Sequence, residues 1–432
     1  MSQIATRRSP GLRKIALLAA LVAALPALAS AQEKGTPATC VAAPGALMVQ
    51  GKAGWKAIKP GEAITADVTV VSLFDATLRS ANGGVTVRMA ADLGQRGPLP
   101  ILESAITLHD DAKHDLALTP LRGLMVLTNT KEKGPALIRL ALRDETVELT
   151  LKEPGAKLAL EIYGRHAPGE PKWDDPKLDD PVFHLFFIAL SGEAFLRHGE
   201  KGIALHAPPG PAVLVWDSPV REPQVQRLEE LPPEVIAMKE KDVKLMAEVN
   251  AWAAKLAGES PAAALKEGAA SKSALVRTAA VNAMGALDDL PAHFIALSAS
   301  PHADTRDQAV LALRHWLGRA PGQTAKLDAG LKKAGYTEIQ ARTLLHLLYG
   351  FTAEERQEPA TYDVLLSSLK HSRPAVRQLA HWHLVRLAPE GKAIPFDALA
   401  PEGELQRSHD QWRTLIPAGK LPPPPKGAPK AP

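Results

Sequence analysis

A single cysteine, Cys40, stands among 432 residues. One thiol excludes an internal disulfide, a Cys-x-x-Cys-His haem attachment and a cysteine-rich zinc site. Exposed in an oxidising compartment, Cys40 could pair with another chain; beside a frayed terminus it is an idle thiol. Long hydrophobic runs are missing too: the apolar stretch from Ile15 to Leu25 falls short of the roughly 20 residues of a membrane span and ends at Pro26. The chain has no Gly-x-Ser-x-Gly, no His-Glu-x-x-His, no Gly-x-x-x-x-Gly-Lys-Ser/Thr and no Gly-x-Gly-x-x-Gly. The commonest hydrolase and nucleotide-binding signatures are therefore missing.

What is present at the start is an export leader. Arg7, Arg8, Arg13 and Lys14 precede the apolar run, and Ala29-Ser30-Ala31 supplies the small residues of a cleavage site. That order predicts a signal peptide over 1–31, removed after Ala31. Cys40 follows Pro37-Ala38-Thr39, which lacks the Leu-led apolar tripeptide of a lipoprotein, and Arg7-Arg8 is a weak hint of twin-arginine export. The net charge of +4 resides in this leader, because its four basic groups leave 47 others against 47 acidic ones. A neutral mature chain has no overall field to attract nucleic acid or anionic lipid. The expected location is outside the cytoplasm, in the periplasm or envelope of a bacterium, with no membrane span once the leader is removed.

Composition changes near residue 225. From Val41 to Ser218 short apolar alternations are separated by Gly, Pro, Asn and Asp; from Leu231 to Leu415 the chain is Ala- and Leu-rich with helical spacing. This predicts a multidomain α+β protein: an all-β sandwich or β-roll domain, then an α-helical solenoid. The expected boundaries are a polar leader over 32–40, a β domain over 41–220, a linker over 221–232, a helical domain over 233–418 and a proline-rich tail over 419–432. Val68-Thr69-Val70-Val71, Thr77-Leu78-Arg79-Ser80 and Val85-Thr86-Val87-Arg88-Met89 read as strands, and Asn82-Gly83-Gly84 supplies a hairpin turn. Thr146 to Leu151, and Lys157 to Tyr163 after the turn at Pro154-Gly155, each predict a strand with one buried and one wet face.

The segments Ala46-Leu47-Met48-Val49, Trp55, Pro60-Gly61-Glu62-Ala63-Ile64 and Ala76 to Arg88 resemble the opening of a FecR-like domain. Leu121-Arg122-Gly123-Leu124-Met125-Val126 is similar to that family's second element, a glycine between two β-runs. The likeness spans residues 41 to 220 and implies an extracytoplasmic β domain of the kind used in iron-siderophore signalling and in other envelope proteins. Sensors of that family carry an anti-sigma region and a membrane span ahead of this domain; here a leader stands in their place, so direct sigma-factor control is not expected.

The helical half repeats. Arg277, Arg306, Arg342, Arg377 and Arg413 follow at spacings of 29, 36, 35 and 36, each read as lying near a helix start, and a period of this size marks a solenoid. Pro374-Ala375-Val376-Arg377 and Leu275-Val276-Arg277 resemble HEAT-like repeats. Val276, Ala280 and Ala283, and likewise Val376, Ala380 and Leu384, form apolar stripes, with Asn282 and Gln378 expected on the solvent face. The arginines read either as turn-tying structural groups or as an acidic partner's contact surface.

Two other clusters bear on chemistry. His371, His381 and His383 are the densest histidines, but residues two apart on a helix point to different faces. Asp174, Asp175, Asp179 and Asp180 lie among prolines as a solvated loop without a calcium-loop pattern. The expectation is a non-enzymatic envelope protein without a cofactor, metal or catalytic residue. Its β domain binds a ligand or envelope component, and its helical surface binds an unknown protein. The alternative is a metal-assisted hydrolase built on these histidines or aspartates.

Overall fold

The computed structural model describes residues 35–423 apart from 53, 93–100, 144, 172–178, 208–211, 218–223, 228–239 and 259–260. The expected signal peptide, Asp174, Asp175 and the end of the proline-rich tail lie outside the described residues. Eight strands open the fold: β1 (Ala38–Ala42), β2 (Leu47–Gly51), β3 (Gly54–Ile58), β4 (Ala63–Ile64), β5 (Thr69–Ser72), β6 (Asp75–Ser80), β7 (Val85–Ala90) and β8 (Ser104–His109). Eight more follow: β9 (Leu116–Asn129), β10 (Ala136–Leu142), β11 (Glu145–Leu151), β12 (Lys157–Arg165), β13 (Val182–His198), β14 (Lys201–Ala207), β15 (Ala212–Asp217) and β16 (Gln224–Arg227). All sixteen belong to one hydrogen-bonded network.

Local chemistry accounts for the pairings. Asn82-Gly83-Gly84 turns β6 onto β7, with Leu78 opposite Val87; Gly83 takes φ 73°, and Gly84 N donates to Asn82 Oδ1 at 2.9 Å. β11 alternates buried and wetter residues as its sequence predicts. β12 does not: all but its two end residues are buried, because it pairs with β9 on one side and β13 on the other and both its faces are covered. Leu158, Leu160 and Ile162 enter the main strand core, whereas Ala159 joins a second cluster with Leu124, Ile188 and Val213.

The long strands β9 and β13 change partners partway. Up to Arg122, β9 pairs with β8; from Gly123 onward it pairs with β12 and then also β7. At that corner Gly123 adopts φ 91°, and a Cβ there would lie 2.2 Å from Glu103 O, so only glycine fits. β13 pairs with β12 and β15 before Gly192 (φ 70°) and with β11 and β14 after it. Between these strands lie Leu47, Leu78, Val87, Leu149 and Phe187 among others, all within 1% of full burial, each contributing about 1.5–3 kcal/mol by leaving water.

Two expected boundaries move. β1 begins inside the expected polar leader, and Cys40 on it is 1% exposed opposite Leu78; burial, then Glu62, pushes its thiol pKa up. Neither a frayed terminus nor an accessible thiol describes it. β16 falls within the expected linker and pairs with β15, Leu214 opposite Val225.

Ten α-helices follow among the described residues: α1 (Glu240–Ala253), α2 (Pro261–Ala269), α3 (Ala274–Ala286), α4 (Leu290–Ala299), α5 (Ala303–Gly318), α6 (Gln323–Lys333), α7 (Glu338–Tyr349), α8 (Pro359–Ser368), α9 (Pro374–Leu387) and α10 (Glu402–Leu415). Asp289 caps α4, Thr337 and Gln340 form a capping box on α7, and proline in the first turn starts α8 and α9, where its missing N–H costs nothing. No described helix is long and apolar enough to cross a membrane.

Val276, Ala280, Ala283, Val376, Ala380 and Leu384 are buried, as the stripes predict. Asn282 and Gln378 are buried as well, against expectation. Gln308 Nε2 donates to Asn282 Oδ1 at 2.6 Å. Gln378 accepts from Arg306 Nε and donates to Asp307, each at 2.9 Å. The reason is packing on more than one side: α9 meets α4, α5 and α7 as well as α8, whereas a strictly linear stack touches nearest neighbours only.

The protein is thus an N-terminal strand region followed by a helical region. The described residues of both fall in one compact unit, because the helical core continues into Met48, Leu73, Phe74 and Leu102 of the strand region.

Candidate functional site

Three of the repeated arginines share one geometry. Nη1 of Arg277, Arg306 and Arg377 donates to the carbonyl six residues upstream, in the turn between paired helices: Ser271 at 2.8 Å, Ser300 at 2.7 Å and His371 at 2.7 Å. The rest of each fork binds a later element. Arg277 Nε reaches Asp304 Oδ1 at 3.2 Å; Arg306 reaches Gln378, and Asp397 Oδ1 at 2.8 Å; Arg377 Nε reaches Ala398 O at 2.7 Å. Burial raises the Asp304 carboxyl pKa, but the Arg277 guanidinium outweighs it and holds the group low. Arg306 is only 1% exposed, and the guanidiniums of all three are taken up by carbonyls, carboxylates and an amide of the chain itself.

Arg342 and Arg413 depart from the pattern. Arg342 is half-exposed, 3.5 Å from Glu338 on its own helix. Arg413 lies in the last turn of α10, not near a helix start, and pairs with Asp363.

Two buried polar clusters fasten helices to strands. Arg122 Nε donates to Glu103 Oε1 at 2.6 Å, and His315 Nε2 lies 3.2 Å from the same oxygen. Burial pushes the Glu103 carboxyl up, yet His315 and Arg122 together hold it well below the usual carboxylate range. In the second cluster Asp179 accepts from Gly322 N at 3.0 Å, Thr324 Oγ1 at 2.7 Å and Tyr349 OH at 3.1 Å, while the His166 ring stacks on Tyr349 at 4.7 Å. Asp179 is therefore a buried clamp, not part of a solvated loop. Alongside these, Trp55 Nε1 donates to Leu287 O at 2.9 Å.

Beside these fasteners opens a cleft of about 660 Å³. Leu142, Ile162, Phe183, Leu185 and Trp216 line it, and all five also belong to the strand core or pack on it. The cleft is the unfilled end of that core. Arg319, Ala320 and Pro321, just beyond α5, form the opposite wall. Arg143 sits on the rim, its Nη2 2.8 Å from both oxygens of Asp180 and its guanidinium carbon 4.9 Å from the Phe183 ring centre. His198 Nε2 lies 2.9 Å from Glu145 Oε2, and its ring lies 5.0 Å from that of Trp216. Arg319 donates to Gly285 O at 2.9 Å and pairs with Asp288; burial, with Arg122 nearby, lowers its pKa to about 9.

The histidines singled out by the sequence do not converge. His371 Nδ1 accepts from Arg373 N at 3.0 Å, His381 stacks on Phe396 at 4.4 Å, and His383 Nε2 lies 2.6 Å from Leu347 O. Among the described residues no three His, Cys, Asp or Glu side chains are grouped to hold a metal ion.

No family model, curated protein or solved structure matches this chain. The FecR-like and HEAT-like resemblances rest on the residues that carry them. Of the cleft residues the sequence singled out Asp180, in the acidic cluster, and Leu121 and Ile162, within strand-like runs; it did not bring them together, because β9, β10, β12, β13, β15 and the end of α5 meet there only through long-range pairing. One local signal exists: Arg143, with φ 54°, follows Leu142 at the end of β10 opposite Glu145 of β11, a hairpin position where Asn or Gly is favoured.

Proposed function

We propose that this is an exported, non-catalytic envelope protein whose strand region holds an apolar ligand in the cleft and whose helical region meets a protein partner. In this reading the strands form a FecR-like sandwich or roll and the helices a HEAT-like array. The turn-closing arginines support the repeat assignment.

The observation that carries the ligand reading is the cleft itself. Its volume lies in the ~300–1,000 Å³ range of small-molecule sites, with apolar walls and a few polar groups at the rim. A well-packed core leaves few voids larger than a water molecule, so an open core end of this size is a place for something to enter. Titration with N-phenyl-1-naphthylamine, a neutral apolar fluorophore, tests it. One saturable site is expected in the wild type, and it is lost in both Leu185→Trp and Pro321→Trp, which fill the cleft from opposite walls. Unchanged binding in both variants, with circular dichroism intact, refutes the reading.

A further inference from the structure

Resting on that reading of the cleft, we infer that its occupant is a single-chain amphiphile with an anionic head, the chain lying along the apolar walls and the head held by Arg143. The apolar part of the argument is the wall. Leu121, Leu142, Ile162, Phe183, Leu185 and Trp216 supply the cleft's apolar lining. Beside Trp216 and His198 lies a separate void of about 10 Å³ among Val147, Phe187 and Leu214, room for one water and no more, so the chain is accommodated by the apolar walls of the cleft itself.

The charged part is Arg143. It occupies the two-residue turn between β10 and β11, Leu142 opposite Glu145, with φ 54°. A left-handed backbone costs a non-glycine residue about 1–2 kcal/mol, and such outliers gather at functional sites. That turn directs the guanidinium over Phe183, at the edge of the cleft. Only its Nη2 is engaged among the described residues, and only by Asp180; Nε and Nη1 remain able to donate. Both partners of that pair are about two-fifths exposed, and exposed ion pairs contribute only about 0–1 kcal/mol. A ligand carboxylate or phosphate therefore displaces Asp180 at little cost and can engage two N–H groups of the guanidinium at once, the anchored chain supplying the rest of the affinity. The other rim carboxylate, Glu145, already shares a hydrogen bond with His198, and Arg319 on the wall is already paired with Asp288, which leaves Arg143 as the cation that meets the head.

Displacement of N-phenyl-1-naphthylamine by laurate, dodecyl phosphate and dodecanol, all below their micelle-forming concentrations, tests the assignment. At least one anion is expected to displace the probe tenfold or more better than dodecanol, and the stronger of the two distinguishes a carboxylate from a phosphate head. Arg143→Gln should bring the anions to the level of dodecanol without changing dodecanol itself, and Asp180→Asn, which removes the internal competitor, should tighten the anions severalfold. If dodecanol equals both anions, or if Arg143→Gln leaves anion affinity unchanged, the head-group assignment falls while the cleft reading stands. If none of the three displaces the probe from a site that the cleft-filling variants abolish, the amphiphile is wrong; if the probe itself does not bind, the cleft reading fails.

Discussion

Gly318 ends α5, and changing it to alanine sets two effects against each other. Alanine is favoured over glycine in a helix by about 1 kcal/mol, somewhat less at a terminal position. A Cβ at residue 318, however, would lie 2.2 Å from Gly164 O and 2.7 Å from Arg165 Cα; reciprocally, one on Gly164 would lie 2.1 Å from Gly318 O. These are backbone atoms of β12, which is tied to β9 and β13 and cannot step aside alone. Overpacking of this kind costs about 1–3 kcal/mol, so the clash wins and Gly318→Ala should destabilise the protein by about that amount. Gly330, inside α6, is the control: its nearest neighbour would be Phe294 Cε2 at 3.6 Å, an ordinary contact, so Gly330→Ala should stabilise by up to about 1 kcal/mol. Urea unfolding midpoints of the two variants give the comparison. Because Arg319 to Pro321 follow directly and wall the cleft, Gly318→Ala should also weaken probe binding, and Gly330→Ala should not. A Gly318→Ala protein as stable as wild type would mean that α5 does not seat on β12, and the cleft would lose its second wall.

Acid should weaken the fold between pH 6.5 and 4. Burial lowers the pKa of His293 and His383 to about 4, below the unfolded value, so the unfolded chain binds more protons as pH falls through this window and each residue withdraws about 3 kcal/mol at most. Glu103, with its folded pKa depressed, adds stability present above its unfolded pKa of about 4.3 and lost below it. Urea midpoints that stay flat from pH 7 to 4 would contradict this. Arg306→Leu should cost about 3 kcal/mol or more by leaving Ser300 O and Gln378 without their donor, whereas Arg342→Leu should change stability by about 0.5 kcal/mol or less; equal effects in thermal melts would undo the assignment of the repeated arginines. If proteolysis cuts within 228–239, the fragments should co-elute on gel filtration, held by Glu103, Arg122, Asp179 and Trp55; separate elution would show that these contacts are too weak to join the regions.

Much of the local architecture was legible because it depends on local chemistry. The Asn82-Gly83-Gly84 turn, the alternation of β11 and the apolar stripes of α3 and α9 follow from backbone preference and side-chain period. The arginine spacing pointed to real turns, since a guanidinium four residues into a helix reaches the carbonyl six residues back. Arg413 shared the spacing by sequence alone, at the wrong end of its helix. Asn282 and Gln378 were misplaced because polarity signals solvent only when a helix has a free side, and α3 and α9 have neighbours all round. β12 misled for the same reason: alternation reports one covered face, and here two are covered. The cleft was hidden because distant strands and the end of α5 compose it, and no periodicity records which distant segments meet.

Occupancy of the cleft in the cell can be read by native mass spectrometry of the protein purified from its producing cells without detergent. The predicted result is a mature chain beginning at Gln32 that carries one small organic adduct per molecule, absent from Leu185→Trp and Pro321→Trp protein prepared in the same way. Wild-type protein whose mass shows no adduct, and which fails to take up N-phenyl-1-naphthylamine afterwards, would contradict a ligand-binding role for the cleft.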